Sequence, residues 1–452
     1  MSIEDRSRGR HEEIEAILER KPGVREVRDE DDRYTVVGAA SRGTYANWLT
    51  PIEDHFVCHR NAIPEIEDDS WTVTFSGGLE GEASVADLVE RFPTVAVAHT
   101  MECAGNGRGQ HDPETASVQW DWEAAATAVW TGVPLSSVLR AYAEDVPETG
   151  WLTAIGGDPD EEGIFARSIP VEKATDDCIL AVGANGRPIP AEHGYPVRLL
   201  VPGWYGVNSV KWLDELCLAD SMVTEGALDR PGRHAKWQQD EYRIHPAGEI
   251  PEHLETVETF DTWEQLESEE IDHPYTFDQN VMSLIGAPDG EEPIRAGSVD
   301  VCGVAWAGDD AVAGVEVSTD GGETWEDAEL FGPDYAGAWR LFRTWWDATP
   351  GAHTLVSRAT DERGRTQPAT IGSPDEGFDA LDSGRYPWNE GGYAANPYLP
   401  NALTVEVEPR ADRFESRNPL RFSHRIVPLI TMCELVRGDD RRGHGRRTVD
   451  LR

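Results

Sequence analysis

The 452 residues carry 40 Lys and Arg against 84 Asp and Glu, a formal charge of −44. So acidic a chain is excluded from general nucleic-acid binding and from anionic membrane surfaces, where attraction runs on phosphate charge. A hydrophobic fraction of 39% with 16 Trp excludes a disordered acidic polymer, and the length leaves room for two or three hydrophobic cores.

Only four of the 40 basic residues are lysines: Lys21, Lys173, Lys211 and Lys236. Abundant carboxylate with almost no lysine suits a protein kept soluble in concentrated salt, where at ~1 M the Debye length is about 3 Å and self-repulsion is screened. Six cysteines, at 58, 103, 178, 217, 302 and 433, form no CxxC pair or Cys/His ladder. Neither a zinc ribbon nor a disulfide scaffold is expected. The N-terminus has no apolar run and no twin-Arg signal, and no stretch of ~18 apolar residues occurs. A soluble, cytoplasmic protein with reduced thiols is expected.

In chain order, residues 1–32 form a charged extension in which Ile14, Ile17 and Leu18 stand at helical spacing, predicting a short peripheral helix. Residues 33–247 mix short β runs (Val95–Ala98, Val197–Val201) with helical stretches and Gly/Pro turns, the pattern of one mixed α/β domain. Residues 248–279 read as an acidic linker; within them 248–272 hold ten acids and no Lys or Arg. Residues 280–400 look all-β. Val299, Val301 and Gly303 alternate before Trp306, and Val315–Thr319 runs into the hairpin turn Asp320-Gly321-Gly322, predicting an immunoglobulin-like sandwich with a closing segment. Residues 401–452 form a C-terminal extension with a basic end, either a disordered tail or a contact for the acidic body.

The most informative segment is His99-Thr100-Met101-Glu102-Cys103-Ala104-Gly105-Asn106-Gly107-Arg108-Gly109. An apolar strand runs into a glycine-rich loop whose backbone permits close approach of a bulky ligand. Its thiol lies five residues before a guanidinium, and a nearby positive charge favours the thiolate that attacks or ligates metal. Taken alone, such a Cys is more often structural.

Its context decides otherwise. The segment resembles the molybdenum-ligating loop of the sulfite oxidase family, Cys-Ala-Gly-Asn followed by Arg. Ala128–Leu135 resembles that family's W-T-G-x-x-L element, and residues 169–174 and 180–213 are similar to its longest signature. Trp237–Tyr242 resembles its W-Q-x-x-D-Y segment with one residue displaced, and Gly303–Trp306, Gln367-Pro368 and Trp388–Asn396 are similar to its β domain. The likeness covers about residues 45–396. Two of the four lysines, Lys173 and Lys211, lie inside the matched segments, and Lys236 directly precedes one. Lys gives a point charge and Arg a planar fork, so retention there suits an anion site.

The resemblance implies a molybdopterin-binding domain followed by an immunoglobulin-like dimerisation domain, an α+β chain overall. It implies a molybdenum centre with one pyranopterin, in which Cys103 is the sole protein ligand to the metal. Arg60, Asn61, His193, Arg198, Ser209, Val210 and Lys211 are the implied cofactor contacts, and Asp158 a weaker one. Ala62 stands where the family pattern has His, and His59, beside Arg60, is the candidate to compensate. Arg60 and Arg108 match the anion-binding arginines, and guanidinium forks suit oxyanions. Tyr242 matches the active-site tyrosine, a phenol able to donate a proton to the reacting oxygen. A further substrate arginine is expected from Arg340, Arg343 or Arg358. The implied activity is oxidation of sulfite to sulfate by a homodimer, with electrons passed to an external acceptor.

The rival within the family is a nitrate reductase type, which runs oxo transfer in the opposite direction. Such enzymes carry accessory modules, and neither a haem-binding His-Pro-Gly-Gly element nor a flavin domain is found in the sequence, so none is expected in this chain. The family's methionine-sulfoxide-reducing branch usually lacks the β domain. A non-catalytic acidic binding protein is a poorer account of Cys103, Arg60, Arg108, Lys211 and Tyr242 together. A hydrolase is poorer still, since no G-x-S-x-G elbow occurs.

Overall fold

A computed structural model describes residues 3–29, 33–60, 62–66, 71–160, 163–219 and 277–410. The acidic linker up to residue 276, Tyr242, Lys236 and the tail beyond 410 lie outside the described residues.

Three sheets and a few short helices build the part that carries the cysteine loop, the smallest sheet being Val24–Glu26, Thr35–Ala39, Val57–His59. In one sheet the order is Arg187–Pro188, Ile179–Ala184, Ala125–Pro134, Val95–Glu102, with Arg198–Leu200 also paired to Ile179–Ala184. All these pairs are antiparallel. The second runs Gly81–Ser84, Thr72–Gly77, Leu213–Ala219, Trp151–Asp160, Gly163–Pro170, and is antiparallel except where Leu213–Ala219 pairs Thr72–Gly77. Val133, Leu180 and Leu199 from the first sheet share one core with Val73, Leu152 and Leu216 from the second, and Leu135 and Leu139 of the helix Leu135–Tyr142 complete it. Close strand approach explains the glycine of the Trp130-Thr131-Gly132 element: a Cβ on Gly132 would lie 2.2 Å from the Leu180 carbonyl oxygen.

The sequence beyond residue 280 forms two facing sheets. One orders Met282–Ala287, Gly297–Trp306, Arg340–Ala348, Glu329–Phe331; the other Ile294–Arg295, Leu403–Glu408, Gly351–Asp361, Val312–Ser318, Glu326–Asp327. Inward residues alternate along the strands. Val301, Ala305 and Phe342 of one sheet pack on Val315, Val317, Leu355 and Val405 of the other. The predicted hairpin is present: Gly321 and Gly322 take positive φ (78° and 97°), and Val312–Ser318 pairs back with Glu326–Asp327.

Three expectations change. The segment expected to be peripheral is the helix Ile3–Arg20, which buries Ile14 and Ile17 against Val24, Val37 and Val57. The extension expected from residue 401 begins with a sandwich strand instead, since Leu403–Glu408 pairs with Gly351–Asp361 and buries Val405 and Val407. The late segment around Trp388–Asn396, read as part of the β domain, leaves the sandwich and docks on the cysteine loop. There Ala394 N–H donates to the Ala104 carbonyl at 2.7 Å and Trp388 Nε1 to that of Pro113 at 2.9 Å.

The sandwich and the loop-bearing body share further contacts. Tyr45, Ala125, Met282, Val304, Trp306 and Trp339 form one cluster. Thr100 N–H donates to Gly337 O at 2.8 Å, and Gln279 Nε2 donates to Thr100 O at 2.8 Å. The strand that delivers Cys103 is thereby held from both sides.

Candidate active site

Val95–Glu102 is exposed at its start and buried at its end, so the chain enters the interior as it reaches Cys103. The loop is then pinned by its own polar groups. Cys103 N–H donates to Ala124 O at 3.0 Å, Asn106 N–H to Cys103 O at 2.9 Å and Arg108 N–H to Gly105 O at 3.0 Å. Asn106 works in both directions: its Nδ2 donates to Glu102 Oε1 at 3.1 Å, and its Oδ1 accepts from Ala124 N–H at 3.2 Å. Glu102 Oε2 accepts from Trp306 Nε1 of the sandwich at 2.9 Å. Gly107, at φ 84°, takes the left-handed turn that starts the short helix Arg108–Gln110.

Arg108 folds back over the loop. A Cβ on Gly105 would lie 2.7 Å from the guanidinium carbon, so only glycine admits this pose. Arg108 Nε donates to Gly391 O at 2.8 Å, Nη1 donates to Val118 O at 3.0 Å, and the guanidinium stands 4.8 Å from the Tyr393 ring centre. A hydrogen bond from the Cys58 thiol, joined by Arg108, the Gly105 N–H and Trp120, brings the Cys103 thiol down to about 7 against the opposing effect of burial. The same bond and burial push Cys58 well up.

One cavity gathers Cys103, Arg60, Arg108, His59, His193, Arg198, Ser209 and Lys211. Arg198 lies across its floor, with Nη1 donating to His193 O at 3.0 Å, Nη2 donating to Ser209 O at 2.7 Å, and the guanidinium 5.1 Å from the Trp130 ring centre. Burial lowers Arg198 to about 9 and, with Arg198 adding to it, lowers Lys211 to about 7. Arg60 is buried, its guanidinium 5.9 Å from the Tyr34 ring centre. His193 and His55 stack edge to face at 5.0 Å. Burial takes both well below the usual imidazole range, so both are neutral.

Several sequence expectations fall outside this cavity. Val210 points the other way, into the core, and its carbonyl accepts from Leu199 N–H. Asp158 lies on the strand Trp151–Asp160 and Asn61 beside Arg60, but the Asp158 side chain, Asn61 and Tyr242 are outside the described residues. Arg340, Arg343 and Arg358 do not line the cavity; each pairs with a sandwich carboxylate, Asp334, Glu329 and Glu316 respectively. Lys173 is not at the anion site either, since its ammonium bridges to Asp309 at 2.8 Å beneath Trp204. Unforeseen lining residues are His55, Cys58, Trp120, Arg167, Trp212 and Tyr393. Of these, Trp212 and Tyr393 stand in segments the sequence had marked, and Arg167 lies two residues before another.

The residues fit an anionic pterin cofactor with a thiolate-held metal. Among the described residues, Arg108, Arg198 and Lys211 make no ion pair with a carboxylate. The buried His55 Nε2, His193 Nε2 and Arg198 Nε have no hydrogen-bond partner there. Buried cations and polar atoms left without counterparts call for an anionic occupant with polar groups of its own.

Comparison with known proteins agrees. Residues 60–225 match the oxidoreductase molybdopterin binding domain, and residues 273–373 the Mo-co oxidoreductase dimerisation domain. The mitochondrial sulfite oxidase of Homo sapiens is 31% identical over 342 residues, covering 72% of this chain and 58% of that one. Inducible nitrate reductase [NADH] 1 of Glycine max is 28% identical over 369 residues, 74% of this chain and 39% of that one. The chain thus spans well under two thirds of the length of either relative. Among solved structures, the sulfane dehydrogenase of Paracoccus pantotrophus superposes with a TM-score of 0.63 at 27% identity, over 82% of this chain and 86% of that one. On the loop, the cavity and these matches together, the chain belongs to the sulfite oxidase family of molybdopterin-binding oxidoreductases.

Proposed function

We propose that the protein oxidises sulfite to sulfate at a molybdenum–pterin centre and passes the electrons to an external acceptor. The observation that carries this reading is a cavity in which the Cys103 thiol shares the wall with Arg108, Arg198 and Lys211, which make no ion pair with a carboxylate among the described residues. When bound, the molybdenum–pterin group supplies the two-electron oxo-transfer chemistry.

The chain's own residues supply position and charge. Cys103 would hold the metal through Sγ, a soft ligand suited to such a centre. Lys211, Arg198 and His193 would hold the cofactor's phosphate and pterin, and His55, beside His193, adds a second neutral imidazole. Arg108 and Arg60 would bind and orient the oxyanion through paired N–H donors. Tyr393 and Trp120 line the cavity beside them and exclude water, which strengthens every charge contact within it. Tyr242 is proposed as the proton donor. The dimerisation-domain match supports a homodimer, with exposed Trp345 and Tyr335 available on the sandwich.

Metal and pterin analysis with parallel sulfite and nitrate assays tests the reading. About one Mo per chain and sulfite turnover are expected, with Cys103→Ser more than about 10³-fold slower, the scale of losing a group on which all the chemistry depends. Full turnover in Cys103→Ser overturns the assignment. Nitrate reduction without sulfite oxidation would select the second reading, favoured by the nitrate reductase relative at similar identity.

The composition supports a cytoplasm of concentrated salt as the working medium. Sulfite KM should rise as salt is removed, because an unscreened body of charge −44 repels anions. A folded low-salt sample with unchanged KM contradicts that.

A further inference from the structure

The family match begins at residue 60, so the helix Ile3–Arg20 lies outside it. That helix nevertheless reaches the cavity wall. Arg10 Nη1 donates to the Arg60 carbonyl at 3.2 Å. Glu13 brackets the next turn of chain: its Oε1 meets His59 Nε2 at 2.5 Å, and its Oε2 accepts from Ile63 N–H at 3.4 Å.

His59 carries the contact inward. Its Nδ1 lies 3.5 Å from Lys211 Nζ, and its ring stands edge-on to Trp212 at 5.2 Å. Lys211 Nζ also donates to Glu192 O at 2.8 Å and Cys58 O at 3.3 Å, so three acceptors fix the ammonium. An ionised carboxylate only accepts, which puts the ring proton on His59 Nε2, donated to Glu13, and leaves Nδ1 as the acceptor that faces Lys211 Nζ. Carboxylate, imidazole and ammonium form one line from the helix to the cavity.

We propose that Glu13 is a positioning residue of the cavity: it fixes the tautomer and plane of His59 and, through His59, the place of the Lys211 ammonium. The arrangement parallels carboxylates that orient metal-binding imidazoles, whose removal costs ~10–100-fold in affinity. It also explains how an imidazole serves this wall although Ala62 stands where the family pattern has one. As far as Lys211 meets a bound cofactor, the proposal rests on the molybdenum reading above.

The test uses full-length protein from molybdate-fed cells: wild type, Glu13→Ala, Glu13→Gln, Lys211→Met and the Glu13→Ala/Lys211→Met double. Two readouts are taken, Mo and pterin per chain, and the His59 tautomer from ring 15N shifts of 15N-histidine protein, assigned with His59→Gln. Expected are an Nε2–H tautomer in the wild type, a tautomer mixture in Glu13→Ala, and cofactor content down about 10-fold. The double variant should lose no more than Lys211→Met alone, because Glu13 acts through Lys211. Glu13→Gln, whose amide oxygen still accepts from Nε2–H, should keep the tautomer and most of the cofactor. A side chain that merely fastened the helix would leave the tautomer unmoved and its loss would add to that of Lys211; either result overturns the proposal. Should Glu13→Ala fail to fold, an Nδ1–H tautomer in the wild type, or loss of the Nε2–H tautomer in Glu13→Gln, overturns it equally. A wild type free of Mo and pterin refutes the molybdenum reading, while the tautomer still decides the role of Glu13.

Discussion

Two groups of basic side chains in this molecule have opposite company. In the sandwich, Arg340, Arg343, Arg358, Arg363 and Arg365 each meet a carboxylate. In the cavity, Arg108 and Arg198 donate to backbone carbonyls, and Lys211 to two carbonyls and an imidazole. A carbonyl fixes a cation without cancelling its charge, whereas a carboxylate cancels it. In a chain with 84 acids, a cation kept from carboxylates is the unusual one, and partner type separates site from surface better than residue type.

The largest expected effect that sharpens this contrast is on Arg108. Arg108→Met should lower kcat/KM for the oxyanion by about 10²-fold, the scale of removing one aligned charged donor. Arg343→Met should change it less than about 2-fold and stability by ~0–1 kcal/mol, as for other exposed ion pairs. Steady-state kinetics and denaturant melts on both variants decide the matter; equal effects break the contrast.

Next come two glycines. Gly105→Ala puts a methyl group 2.7 Å from the Arg108 guanidinium and should displace it, reproducing most of the Arg108→Met loss with the fold intact. Gly314 in the sandwich has no atom within 4 Å of a built Cβ, so Gly314→Ala should stay within about 0.5 kcal/mol of the parent. A Gly105→Ala protein with unchanged kcat/KM would show that the guanidinium is not held where the loop places it.

The smallest effect concerns Lys21, whose Nζ donates to Ile52 O at 2.5 Å and His55 O at 3.3 Å. Burial lowers it from 10.5 to about 8, although Glu192, Asp54 and Glu53 oppose the shift. The folded state then binds fewer protons than the unfolded one between these values, so this group's contribution to stability rises with pH from about 8 to 10.5. The stability difference between wild type and Lys21→Met, measured by denaturant melts across that window, should grow in favour of the wild type. A flat difference breaks the assignment.

Much of the site was legible in the sequence because the Cys103 loop and the 180–213 string are continuous, so their order and spacing survive without a fold. Cys103, Arg108, His193, Arg198, Ser209 and Lys211 all follow from them. His55, Cys58, Trp120 and Arg167 arrive singly from separate elements and leave no local pattern. Val210 was misplaced because its two neighbours face the cavity while it faces the core. Lys173 and the sandwich arginines misled because residue type says nothing of partners. The two sheets of the sandwich were readable from alternation and the Gly321-Gly322 turn, whereas the strand Leu403–Glu408 lay beyond a non-β detour that breaks any periodic signal.

The segment that leaves the sandwich to meet Ala104 and Arg108 also sets an order of assembly. A ribosome releases Cys103 nearly three hundred residues before Gly391 and Ala394, the residues that close over its loop. Throughout that interval the nascent cysteine loop is open on one side, even once its own sheet has formed. Completion of the pocket therefore waits for the far end of the β region, since Gly391 and Ala394 are among the late residues of the described chain to be translated.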